Sequence, residues 1–246
     1  NSGEYKLMGL APYGEPKYLK LIKDNLIDIK EDGTFRLNLS YFKYHRGFTM
    51  ISSKFSNLFG DLPRKRESKL TQFHMDIAAS VQKLVEEILI KLAKSLKMET
   101  GLKNICLSGG VALNCVANGK LLNEKIFNGI WIQPASGDAG SSIGAALAVW
   151  YQKYNKPRII NKNDSMKGSL LGCIFSNNEI VDYLNSIKAI YQTFKDNELF
   201  DQVAEMLNEG KVIGWFSGAM EFGPRALGSR SIIGDPRNKE MQKIMN

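Results

Sequence analysis

Between Asn104 and Tyr151 the sequence passes twice through the same succession: a short apolar run, a turn of small residues and a helical stretch. In the first pass Asn104 to Leu107 is the apolar run, Ser108, Gly109 and Gly110 form the turn, and Val111 to Leu122 reads as a helix. In the second, Gly129 to Gln133 (GIWIQ) is the run, Pro134 to Ser141 the small-residue loop, and Ser142 to Tyr151 an apolar helix. Strands that alternate with helices dictate an α/β domain whose sheet is covered.

The flanking segments fit that class. From Phe73 to Met98, Ile77, Val81, Leu84, Val85, Ile88, Leu92 and Leu96 recur at steps of three and four, which predicts an amphipathic helix of about seven turns. Asp32 to Leu39 (DGTFRLNL) has a DG turn followed by Phe35, Leu37 and Leu39 in alternation, the pattern of a short strand or hairpin with one buried face. Ser40 to Lys69 is polar and irregular. Tyr154 to Lys167 carries Pro, Asn and Asp without any period and reads as a linker between two units, 1–160 and 168–246. Beyond it, Ser176 to Ser186 opens with Ser and Asn, which are good helix caps, Leu199 to Asn208 has helical spacing, Gly210 ends the second helix, and Lys211 to Phe216 (KVIGWF) is a candidate buried strand.

Composition narrows the function classes. With 43% hydrophobic and 24% charged residues, the chain is neither disordered nor fibrous. It lacks a run of about 18 apolar residues and a secretory signal, so a cytoplasmic protein without a membrane partner is expected. Cys106, Cys115 and Cys173 are odd in number and form no CxxC pair, which argues against a disulfide framework or a zinc ribbon. The net charge of +8 invites a polyanion, yet the one dense basic cluster, Pro63 to Arg66, has no interleaved aromatic residues; it reads as a solvated loop, with no nucleic-acid partner expected. The chain starts without Met and stops in an uncapped amphipathic segment, DPRNKEMQKIMN, and is expected to be an excised piece.

Three motifs can carry chemistry. Ser108, Gly109 and Gly110 end a strand and begin a helix, where backbone N–H groups and the helix dipole can meet an anion, although tight turns need glycine just as often. Asn114 and Asn118 follow on one helix face, as readers of a ribose or base or as ordinary surface. In the second loop Asp138, beside Gly137, is the sole acid among residues with almost no side chain; it suits a metal ligand or the organiser of a bound water, or else a helix cap. The third motif, Ala219 to Ile232, packs Glu221, Arg225 and Arg230 between glycines after an apolar strand. Its guanidinium groups suit phosphate or carboxylate, with a structural Glu221–arginine ion pair as the competing reading. His45 and His74 form no HxxxH or HxxH pair, His45 reading as a loop residue and His74 as one that caps or packs, and no GxSxG elbow supports a serine hydrolase.

These motifs, quoted as LSGGVALNCVANG, PASGDAGSSIGAA and EFGPRALGSRSI together with the opening GEYKLMGLAPYG, resemble the O-carbamoyltransferase family of antibiotic biosynthesis and nodulation-factor modification, in order and across nearly the whole chain. The resemblance implies an actin-like ATPase half-domain followed by the start of a second α/β domain similar to threonylcarbamoyl-adenylate synthases. It implies ATP and carbamoyl phosphate as co-substrates, carbamoyl adenylate as intermediate, and a small-molecule or glycan hydroxyl as acceptor, with a homodimer left open.

Carried over by motif, Ser108, Gly109, Gly110, Asn114, Gly137 and Glu221 would bind the cofactor side. Arg225 and Arg230 would hold phosphate during activation, and Asp138 would be catalytic and one ligand of an iron. The family's remaining ligands are a histidine pair on an HxxxH helix that this sequence does not contain, so the piece alone is expected to bind metal weakly or not at all and to lack transferase activity. The alternative is a sugar or carboxylate kinase of actin-like fold, which leaves EFGPRALGSRSI without a role.

Overall fold

The computed structural model describes residues 4–65 and 68–245. They form two compact units, Asn1–Gln133 and Pro134–Asn246. In the first, α1 (Glu4–Leu10) passes through a 3-10 turn to α2 (Leu19–Asn25), and β1 (Ile27–Ile29) and β2 (Phe35–Leu37) make an antiparallel hairpin. Then come α3 (Ser53–Phe59), α4 (Gln72–Thr100), β3 (Asn104–Leu107), α5 (Cys115–Asn123) and β4 (Gly129–Ile132).

The long helix forms where its period predicts and extends a little at each end. Its first turn is stabilised by His74, whose Nδ1 accepts from the Thr71 N–H at 3.0 Å. At the other end Gly101 takes a left-handed φ of 65° and its N–H donates to the Lys97 carbonyl at 3.0 Å. The predicted apolar stripe is only part of what α4 buries. Leu84 and Ile88 join Ile22, Leu26, Ile27 and Tyr41 in one core, while Ala93 joins Leu121 and Phe127 in a second. Asp76, Ser80, Gln82 and Glu86 are also buried, whereas Leu96 at the end of the stripe is exposed.

The opening motif explains part of that polar burial. Gly14 lies so close to α4 that an added Cβ would come within 2.1 Å of the Met75 carbonyl. Beside it the Glu15 N–H donates to Asp76 Oδ1 at 2.9 Å, the Tyr18 N–H donates to Ser80 Oγ at 3.0 Å, and Lys17 Nζ pairs with Asp76 Oδ2 at 3.1 Å. The Glu15 N–H, followed by Gln72 and Lys17, holds the Asp76 carboxyl below its ordinary pKa.

The hairpin departs from expectation. The strand stops at Leu37 because Asn38 turns the chain, its Oδ1 accepting from the Ser40 N–H at 3.3 Å to start a 3-10 turn over Leu39–Tyr41. Leu37 packs on the first core, but Phe35 and Leu39 are mostly exposed, so the expected three-residue buried face reduces to one residue.

β3 and β4 pair in parallel, from Asn104 opposite Gly129 to Leu107 opposite Ile132. The helix expected from Val111 begins instead at Cys115, after a 3-10 turn over Gly110–Leu113. Leu121 of α5, 1% exposed, with Phe127, Ile105 and Ile130, fills the space between α5, the strand pair and α4.

In the second unit α6 (Ser141–Ala148) runs on as a π-helical turn over Val149–Lys153, and no helix or strand occupies 154–166. α7 (Asn177–Ser186) opens with a reciprocal cap: the Glu179 N–H donates to Ser176 Oγ at 3.3 Å and the Ser176 N–H donates to Glu179 Oε2 at 2.8 Å. α8 (Asp196–Asn208) precedes β5 (Ile213–Phe216), which pairs antiparallel with β6 (Arg230–Ile233), and α9 (Met241–Met245) follows. β5 is half-buried, not enclosed as predicted, with Phe216 largely exposed. The architecture is thus mixed α/β with helices around small sheets.

Among the described residues no helix is long and apolar enough to cross a membrane. The three cysteines are unbridged and exposed. Pro63, Arg64 and Lys65 of the basic cluster are exposed, and Arg66 lies outside the described residues.

Candidate functional site

Parallel pairing places the C-terminal ends of β3 and β4 at one edge, and there β3 gives way to Ser108 and the glycine turn. Gly109 adopts φ 101°, and a Cβ on Gly109 or Gly110 would meet nothing within 4 Å, so the space in front of the turn is open. Ser108, Gly109 and Gly110 are exposed.

Asn114 lies behind the turn and builds it. Its Oδ1 accepts from the Ala117 N–H at 3.1 Å, capping α5, and its N–H donates to the Val111 carbonyl at 2.9 Å. Its Nδ2 donates to Gln82 Oε1 at 2.8 Å, and Gln82 Nε2 returns a bond to Asn114 Oδ1 at 3.3 Å. Asn118 supports the same turn, its Nδ2 donating to the Ala112 carbonyl at 2.8 Å. The Asn114 amide is thus engaged with α5 and Gln82, and that of Asn118 with the turn itself. Gln82 and Glu86, absent from the sequence-based site, are brought in by this packing.

In the second unit the small-residue loop starts with Ala135 and Ser136 buried and Asp138 exposed. A 3-10 turn over Asp138–Gly140 leads into α6, whose cap residue Gly140 offers no side chain. Asp138 makes no capping hydrogen bond, so of the readings weighed for it the helix cap is not adopted. Among the described residues its carboxylate has no hydrogen bond or ion pair.

The third motif is the loop between β5 and β6, and Glu221 is its hub. This side chain is 1% exposed, and its Oε1 accepts the N–H groups of Leu227 at 2.7 Å, Ser229 at 2.8 Å and Arg230 at 3.3 Å. Burial pushes its pKa up, but these backbone donors outweigh burial and bring it down to about 2. Arg230 completes the hub: Nε stands 3.6 Å from Glu221 Oε2 and Nη2 donates to the Gly223 carbonyl. The structural ion pair weighed for Glu221 is therefore present, with Arg230 as its partner. Arg225 is half-buried on the same loop.

Backbone contacts join the second motif to the third. Gly223 has φ 127°, and a Cβ there would lie 2.7 Å from the Pro134 carbonyl oxygen. On the other flank the Phe222 N–H donates to the Ser169 carbonyl at 2.7 Å, and the Gly172 N–H donates to the Met220 carbonyl at 2.8 Å. Thus Gly137 and Asp138 belong to a loop packed against the one that carries Glu221, Arg225 and Arg230. Around this junction the hydroxyls of Ser136 and Ser169 are buried without a hydrogen-bond partner. Neither serine stands out in sequence, since small-residue loops conceal which hydroxyl turns inward.

Among the described residues no three His, Cys, Asp or Glu side chains come together as metal ligands, and Asp138 is a single carboxylate.

Known proteins place the chain. Residues 1–147 match a family described as carbamoyltransferase N-terminus, and residues 204–246 match one described as carbamoyltransferase C-terminus. An uncharacterized protein of Synechocystis sp. is 59% identical over 248 residues, covering all of this chain and 40% of that protein. Nodulation protein NolO of Bradyrhizobium diazoefficiens is 33% identical over 99% of this chain and 42% of its own length. Nodulation protein NolNO of Sinorhizobium fredii is 35% identical over 95% of this chain and 32% of its own length. The chain therefore spans less than half the length of these relatives. Its matches to both carbamoyltransferase families, the first over more than half of its length, make it a member of the carbamoyltransferase family.

Proposed function

We propose that this chain is part of an ATP-dependent O-carbamoyltransferase that activates carbamoyl phosphate as carbamoyl adenylate and passes the carbamoyl group to a hydroxyl of a small molecule or glycan. The observation that carries the reading is that one chain matches both the N-terminal and the C-terminal carbamoyltransferase families, with the Glu221 hairpin falling inside the second match. On this reading the first unit, with its parallel strand–turn–helix pair, belongs to an actin-like ATPase fold.

In the activation step Arg225 and Arg230 hold phosphate oxygens of ATP and carbamoyl phosphate, where fixed cations stabilise developing charge. The ion pair with Glu221 sets the plane of the Arg230 guanidinium in advance. Atom balance requires one water to split carbamoyl phosphate into carbamate and orthophosphate, after which a carbamate oxygen joins the α-phosphorus of ATP and pyrophosphate leaves. In the transfer step the acceptor hydroxyl oxygen attacks the carbamoyl carbon and AMP departs. Ser108, Gly109, Gly110 and Asn114 hold the adenylate, Gly137 permits close approach, and Asp138 acts in transfer. Asp138 would be one ligand of an iron in the full-length protein, and no step is routed through that metal.

The test is to incubate the full-length protein with carbamoyl phosphate and ATP and follow pyrophosphate release and carbamoyl adenylate. Arg225→Ala should abolish both, and Asp138→Ala should leave both and block carbamoylation of the acceptor. Pyrophosphate release that does not depend on carbamoyl phosphate would overturn the proposal.

A further inference from the structure

Gln82 and Glu86 stand one turn apart on α4, 6% and 3% exposed. A carboxamide and a carboxylate buried on a helix face are unfavourable unless their polar atoms are bonded. Here the bonds lead to α5 and to Asn114, its cap. Glu86 Oε2 pairs with Lys120 Nζ on α5, and Glu86 Oε1 accepts from Gln82 Nε2 at 3.0 Å. Gln82 and Asn114 then exchange bonds at 2.8 and 3.3 Å.

An amide has a donor end and an acceptor end of nearly the same shape, so neighbours of fixed polarity decide which end faces where. This row has such a neighbour at each end. Glu86, paired with Lys120, can only accept, so Gln82 must present its nitrogen to it. The Ala117 N–H can only donate, so Asn114 must present its oxygen to it. The two demands agree on one pairing of Gln82 with Asn114. In that pairing Asn114 Oδ1 accepts two bonds, Nδ2 gives one hydrogen to Gln82, and the second Nδ2 hydrogen is left for a ligand.

We propose that Glu86 and Gln82 are positioning residues that lock Asn114 as a hydrogen-bond donor behind the Ser108–Gly110 turn, and that it meets an acceptor of the adenylate, a ribose or phosphate oxygen. This rests on the reading of the turn as the adenylate site. Without Gln82 the Asn114 amide loses one neighbour that orients it, and with a carboxylate at position 82 two acceptors face each other across the row.

The experiment is equilibrium dialysis of AMP against the full-length protein, with thermal unfolding and pyrophosphate release recorded for each variant. Gly110→Asp, which puts a carboxylate into the open turn, defines the AMP-binding component that belongs to it. Gln82→Met should weaken that component about tenfold, the worth of one hydrogen bond. Gln82→Glu should weaken it further, and the exchange Gln82→Glu with Glu86→Gln should restore it, because the carboxamide nitrogen then again faces a carboxylate while Asn114 keeps its orientation. If Gly110→Asp leaves AMP binding intact, the adenylate reading of the turn fails. If Gly110→Asp removes the component but Gln82→Met and Gln82→Glu leave it unchanged, or the exchange stays as weak as Gln82→Glu, the positioning role fails and the adenylate reading stands. Should Gln82→Met not fold, the comparison of Gln82→Glu with the exchange decides alone.

Discussion

The contact between Gly223 and Pro134 is what joins the Asp138 loop to the arginine loop, and replacing Gly223 by alanine should break it. Two penalties apply. At φ 127° an L-residue is strained, and the new Cβ would stand 2.7 Å from the Pro134 carbonyl oxygen and 3.1 Å from its carbon, both backbone atoms that cannot swing away. Gly228 supplies the control, because its φ is 116° but an added Cβ meets nothing within 4 Å. The strain alone costs about 2 kcal/mol, so Gly228→Ala should lower stability by that amount. The clash adds about 2 kcal/mol more, giving about 4 kcal/mol for Gly223→Ala. At about 4 °C per kcal/mol for a unit of this size, the two variants should melt about 8 °C apart. Thermal unfolding followed by the fluorescence of Trp215 on β5 measures the difference. Equal melting temperatures would refute the close approach, and with it the joining of the two loops.

Other outcomes follow from the cores and the hub. Leu121→Ala should destabilise the first unit by about 3 kcal/mol, as expected for a fully buried leucine, and urea unfolding would show it as a lower midpoint at unchanged slope. For Glu221 the folded pKa lies below the ordinary value of 4.5, at about 2, so the stability it contributes is fully present above pH 4.5 and is lost as pH falls through about 2. The gap in unfolding free energy between the native protein and Glu221→Gln should be constant near neutrality and narrow in acid. A gap that persists unchanged below the folded pKa would contradict the hub.

How much of this was legible in sequence varies by element. Both strands of the parallel pair stand where their apolar runs end in small residues, since such runs are bounded by turn chemistry that is local. Ser176 and His74 show their capping positions for the same reason. Gln82 and Glu86 were illegible because helical periodicity assigns them to the wet side of α4, and only the docking of Asn114 and Lys120 on that side buries them. The hub of Glu221 depends on three N–H groups gathered by a loop that bends at Gly223 and Gly228, a long-range closure that no local pattern encodes. Phe35 and Leu39 failed as a buried face because Asn38, read as one more alternating position, ends the strand.

The 29 residues of α4 engage a different neighbour at each level: the Gly14 loop through Asp76 and Ser80, α5 and its cap Asn114 through Gln82 and Glu86, and two apolar cores through Leu84, Ile88 and Ala93. A helix turns about 100° per residue, so these attachments share one rotational phase. Removing a single exposed residue such as Lys83 would leave every attachment chemically intact yet swing those beyond it away from those before it. The helix therefore tolerates changes of side chain far better than changes of length.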